Sequence, residues 1–105
     1  MFNAQDAQRI VHDYYKENEH KCNEWVVKHL EDALSKVHAY AKTGHTELHY
    51  EICMEKEKYK VIKKKLLLYG LMKQNFKVCV SEHHRRDGVV KTYTVYTISW
   101  STPNA

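Results

Sequence analysis

Eleven of the seventeen Lys and Arg residues fall between positions 56 and 91, where only three Asp or Glu accompany them. Lys56, Lys60, Lys63 and Lys64 are spaced at i, i+4, i+7 and i+8, which is one face of a helix, and Arg85 and Arg86 belong to the hairpin that follows. Converging cations attract phosphates by Coulomb forces and by releasing condensed counterions, with no need to read bases. These six residues are the candidate anion-binding set. Lys73 and Lys77 flank the joint between helix and hairpin, and Lys91 belongs to the hairpin. The plainer reading is a solvated lysine face plus a polar hairpin tip that blocks edge pairing. A net charge of +8 over these 36 residues, against −4 over residues 1–55, keeps the binding reading in play.

Other chemistry is thinner. His45 and His49 share a strand face if the strand begins early, with Glu47 and Glu51 beside them, whereas adjacent His83 and His84 point apart in an extended chain. No Cys-x-x-Cys or His-Glu-x-x-His spacing occurs, so no metal site is expected. Ser, Cys and His are all present, but none stands on a Gly-flanked strained turn or in a phosphate loop. No catalytic residues and no cofactor are therefore expected. Tyr93, Tyr96 and Trp100 could stack bases beside the cations, yet on strand alternation Tyr96, Ile98 and Trp100 share a face that packs on a helix. Cys22, Cys53 and Cys79 are odd in number and unpaired in spacing, which reads as reduced thiols in a cytosol.

Periodicity predicts the scaffold that carries these cations. Asn3 is a natural N-cap, with Asp6 at the third helical position. Apolar residues then recur in steps of three and four from Ala7 through Val26, Leu30, Ala33 and Val37 to Tyr40, with Gly44 as the terminator. One long helix fits, and so do two helices broken near Asn18 to Asn23, with Asn23 capping the second. From Thr46 to Met54 the period becomes two, with Leu48, Tyr50 and Ile52 facing inward. Glu55 to Lys73 returns to helix, with an apolar stripe of Tyr59, Ile62, Leu66 and Tyr69 opposite the lysines. Asn75 reads as a left-handed C-cap, with Phe76 packing back on the helix end. Phe76–Ser81 and Val89–Trp100 read as strands joined through a turn at Arg86-Asp87-Gly88.

The expectation is one α+β domain over 1–105, helical over 1–43 and strand–helix–hairpin over 46–101. A small three-stranded sheet packs on helices, with Tyr59, Ile62, Leu66, Val78, Val80, Tyr96, Ile98 and Trp100 as its core. Trp25 and Val27 lie off the main helical stripe, and Tyr93 and Val95 face away from Tyr96, so a second cover is expected from another subunit. No apolar run reaches the roughly 20 residues of a membrane span, and the N-terminus lacks a signal-peptide pattern.

This order, with "LMKQNFKV" closing a helix and "YTVYTISW" closing a hairpin, resembles a group of small, mostly uncharacterised proteins of tailed bacteriophages. The similarity covers roughly residues 25–100 and lies in pattern more than identity. Asn75 stands where that group often has Gly, and the basic stretch His83 to Arg86 is unusual for it. The resemblance implies a phage protein acting in the host cytoplasm or in the virion, and it transfers no catalytic residues. The strand, basic loop and strand also resemble the wing of winged-helix DNA binders, but only one helix follows the first strand and base-reading Asn, Gln and Arg are scarce. The expected function is thus non-enzymatic: a self-associating accessory protein that binds nucleic acid, a nucleotide signal or an acidic host-protein surface. A virion-associated assembly protein, or an inhibitor of a host enzyme or defence system, are the alternatives.

Overall fold

A computed structural model describes residues 1–101 of the chain, and residues 102–105 lie outside that description. Helix α1 spans Ala4–Asn18, a single 3-10 turn follows over Glu19–Cys22, and α2 spans Asn23–Lys42. At the start, the Asn3 side chain accepts the Asp6 N–H at 3.0 Å and Asp6 accepts the Asn3 N–H at 3.1 Å, a reciprocal cap. The break falls in the expected window, because the Asn18 side chain donates to the Tyr14 carbonyl at 2.9 Å and competes with the helical ladder. Asn23 is not a capping residue; it is the first residue of α2, which has no side-chain cap. At the end of α2, His45 N–H bonds to the Tyr40 carbonyl and Gly44 N–H to the Ala41 carbonyl, both at 3.1 Å. That double closure requires a left-handed residue at Gly44, whose φ is +87°.

Strand β1 (Glu47–Cys53) alternates as expected, with Leu48, Tyr50 and Ile52 buried. Helix α3 runs over Lys60–Met72, five residues shorter at its start than the periodicity predicts. Met54 is anchored in the core, the Glu55 carboxylate accepts the Thr92 N–H at 3.1 Å, and Tyr59 adopts φ +56°, so residues 54–59 form a bridge instead of a first turn. Strand β2 (Lys77–Asp87) and β3 (Val89–Ser99) form a hairpin, entered from α3 through Asn75 at φ +67° and turned at Gly88 at φ +80°. The sequence pattern ends β2 at Ser81; in the structure the strand continues through the basic stretch, with His84 opposite Thr92 and Arg85 opposite Lys91.

The fold is α+β, with an antiparallel sheet in the order β1-β3-β2. One face carries Leu48, Tyr50, Ile52, Tyr96 and Ile98 against α2 (Ala33, Val37) and α3 (Leu67, Leu71). Gly70 lies where a Cβ would sit 3.3 Å from Leu30, which lets α3 approach α2 closely. The predicted core needs correction on α3. Its buried seam is Ile62, Lys63, Leu67 and Leu71, a rotation of roughly one residue, about 100°, from the expected stripe. Leu66 and Tyr59 are half-buried, Tyr69 is exposed, and Val80, on the edge strand where it lines a groove with Val61 and Leu68 of α3, is 39% exposed. Val78 and Trp100 pack at the rim, where Phe76 meets Trp100 edge-on. The sheet's second face is largely polar: His49, Glu51, Ser81, His83, Arg85 and Thr97 surround Val95, which is 5% exposed. It therefore gives no reason for a second cover.

Candidate anion-binding surface

The hairpin is longer than the strand beside it. β1 ends at Cys53, opposite Tyr93, so residues 84–92 pair only with each other and project as a two-stranded ribbon. The bridge of residues 54–59 and the first turn of α3 lie at the root of this ribbon. Glu55 fastens the bridge to Thr92, and His84 Nδ1 lies 3.1 Å from Thr92 Oγ1. No side chain caps α3 and its first turn carries no acidic residue, so its N-terminal N–H groups present the positive end of the dipole.

The six candidate cations do not form one site. Lys63 is 8% exposed; its Nζ donates to Glu57 Oε2 at 2.7 Å and lies 5.5 Å from the Trp25 ring centre. That hydrogen bond holds the Glu57 carboxyl below its ordinary range. Lys63 is thus a core cation, removed from any surface role by the rotation of α3. Lys64 is half-buried and paired with Glu82, whose carboxyl is lowered first by that hydrogen bond and then by the ammonium charge. Arg85 pairs with Glu51 on the open sheet face and lies over the Tyr93 ring, 5.0 Å from its centre. Strand alternation places Arg86 on the other side of the ribbon, toward α3.

Lys56, Lys60 and Arg86 are the members that the fold leaves exposed and outside the ion pairs described above. Lys60 adds the smallest of several contributions to the lowered Glu82 carboxyl, and Glu82 lies opposite Thr94 in the three-stranded part of the sheet. Three partners that neutralise the other cations were not legible as such. Glu57 and Lys63 are six residues apart, a spacing that pairs only when the chain turns between them, and Glu51 and Glu82 reach their cations across the tertiary fold.

A second polar cluster lies at the edge of the core, between α2 and β1. Tyr50 Oη donates to Asp32 at 2.8 Å and lies 2.9 Å from His29 Nδ1, which therefore donates to it. Burial pushes the His29 pKa down and the Tyr50 pKa up, while the Tyr50 hydroxyl lowers Asp32. The nearest thing to a nucleophile pair is Ser81 Oγ and His83 Nε2 at 3.1 Å on the exposed sheet face, with no third group orienting the ring among the described contacts. His45 does not join His49: it turns back to Tyr40 and Thr43, while His49 meets Glu47 at 3.3 Å. Among the described residues no three His, Cys, Asp or Glu side chains gather to hold a metal ion. Cys22 is buried, which raises its thiol pKa, and Cys53 and Cys79 are exposed and unpaired. Among the described residues no helix is long and apolar enough to cross a membrane. No protein-family model, no curated protein and no solved structure matches this chain.

Proposed function

We propose that this is a non-enzymatic, self-associating accessory protein of phage type. It works in the host cytoplasm or the virion and binds a phosphate-rich partner, nucleic acid before a nucleotide or an acidic protein surface. The observation that carries the reading is the projecting ribbon with exposed Arg86, whose root is fastened by Glu55 to the bridge that bears Lys56 and leads into the uncapped helix start at Lys60. A two-stranded ribbon fits the major groove of DNA, and cations on the ribbon and at its root reach the flanking backbone. With Lys63, Lys64 and Arg85 neutralised internally, three phosphate contacts remain, for a log–log salt slope of about −2.7 on duplex DNA. Fluorescence anisotropy with a short labelled duplex across a salt series measures it. Changing Lys60 and Arg86 to Glu together removes binding and leaves the melting temperature within a few degrees. No binding to DNA, RNA or nucleotides by the unmodified protein at about 50 mM salt overturns the reading.

A further inference from the structure

The ribbon has little to hold it in shape by itself. Past the end of β1, His84 faces Thr92, Arg85 faces Lys91 and Arg86 faces Val90, with no third strand beside them. His84, Arg85, Arg86, Val90 and Lys91 are all exposed, so these rows bury almost no apolar surface. A two-stranded hairpin without a packed face is marginally stable in water. Its stiffness must come from its root.

Two glutamates fasten that root, one to each of its first two rows. Thr92 is the first residue of β3 that β1 leaves unpaired, and its N–H is accepted by Glu55 Oε1 at 3.1 Å. The carboxylate supplies the acceptor that a longer β1 would have offered from its backbone. In the next row, Glu51 of β1 reaches across β3 to pair with Arg85 of β2, whose guanidinium lies over the Tyr93 ring, 5.0 Å from its centre. On charge alone both acids are misplaced. Each sets a negative charge beside cations that, on the reading above, meet phosphate, and so opposes binding. Their geometry accounts for them: Glu55 ties the ribbon to the bridge that bears its neighbour Lys56, and Glu51 ties it to the sheet.

We infer that Glu51 and Glu55 are positioning residues for the anion site: neither touches phosphate, and together they hold the ribbon at a fixed angle to the sheet so that Arg86 keeps its place relative to Lys56. This rests on the reading of the ribbon as the anion-binding element. Ordering the ribbon during folding removes that cost from the binding step, which is how a rigid arm gains affinity without a further contact.

Substituting the two glutamates separates position from charge, because the two accounts forecast opposite signs. Glu55→Ala and Glu55→Gln each remove one negative charge, which by Coulomb forces alone tightens binding of a labelled duplex equally in both. Positioning instead makes Glu55→Ala bind roughly tenfold more weakly, and Glu55→Gln, whose amide oxygen still accepts the Thr92 N–H, recovers most of the loss. Glu51→Gln also weakens binding, with the salt slope unchanged at about −2.7; if Glu51 served only to neutralise Arg85, the same change would free a fourth cation, tighten binding and steepen the slope to about −3.6. Amide hydrogen exchange without any ligand reads the ribbon directly: over residues 84–92 it is faster in Glu55→Ala and Glu51→Gln, while residues 93–99 keep their protection and report an intact fold. Equal binding by the two Glu55 variants, or a tighter and steeper Glu51→Gln, overturns the inference. Unchanged exchange in both variants overturns it whether or not nucleic acid binds. Faster exchange in a protein that binds no DNA, RNA or nucleotide overturns the proposed function, and with it the part the two glutamates play in it.

Discussion

Replacing Lys63 tests the orientation of α3 more directly than any core substitution, because sequence pattern and structure disagree about this residue. An exposed lysine on a solvated face costs within about 0.5 kcal/mol to truncate. In the structure its ammonium lies 2.7 Å from Glu57, with the lysine side chain 10% and the glutamate 34% exposed. At an effective dielectric of about 20 the attraction between two unit charges at that distance is of order 6 kcal/mol, most of it offset by the cost of desolvating both ions. Lys63→Ala leaves Glu57 partly hydrated, so the loss falls below the 3–5 kcal/mol of a fully buried pair, at about 2–3 kcal/mol. For a domain near 100 residues that is a fall in Tm of roughly 8–15 °C. Lys63→Met keeps the alkyl stem over Trp25 and loses only the charge, so it costs less than the alanine change. The lowered Glu57 pKa sets the pH dependence. A carboxyl held below its unfolded value stabilises fully above about pH 4.5, and that contribution disappears as pH falls through the lowered folded value. The stability gap between the unmodified protein and Glu57→Gln is therefore complete at pH 7 and closes in acid. Equal melting temperatures for Lys63→Ala and Lys60→Ala would refute the reasoning.

The same rotation of α3 predicts that Leu67→Ala, at a position 0% exposed, costs about 2–5 kcal/mol, while Leu66→Ala costs about 1 kcal/mol or less; denaturant unfolding orders them, and the reverse order places the helix wrongly. His29, whose pKa is pushed down by burial, resists protonation in the folded state while the unfolded chain takes up a proton near pH 6.5. Stability is therefore lost as pH falls below that value, and His29→Gln, compared by thermal melts between pH 7 and pH 5, shows a flatter dependence.

Local chemistry made much of the fold legible. Asn3 with Asp6, Gly44, Asn75 and the alternation of Leu48, Tyr50 and Ile52 each act over a few residues, and each stands where pattern places it. The features that escaped were set by contacts distant in sequence. No Gly or Pro marks the late start of α3; Met54 in the core and Glu55 on Thr92 impose it. β2 runs past Ser81 because β3 pairs with it, and polar side chains on a ribbon clear of the core carry no hydrophobic signal. The candidate cations were legible as a cluster along the chain but not as a surface. Spacing cannot reveal that Glu57, Glu82 and Glu51 each claim one of them.

The strand order β1-β3-β2 has a consequence for how the chain acquires its shape. β1 and β2 share no backbone ladder; each pairs along its backbone with β3, which comes after both in the chain. While the polypeptide is being made from its N-terminus, the helices can form as they appear, but no two strands can pair until residues 89–99 exist. The hairpin then closes locally, whereas Glu47 must find Ser99 across 52 residues, the slower step by loop-closure entropy. Until that moment the inward side chains of β1 and the seam of α3 share no completed sheet. A nascent chain of this protein is therefore helical before it is globular, and its sheet is completed in a single late event.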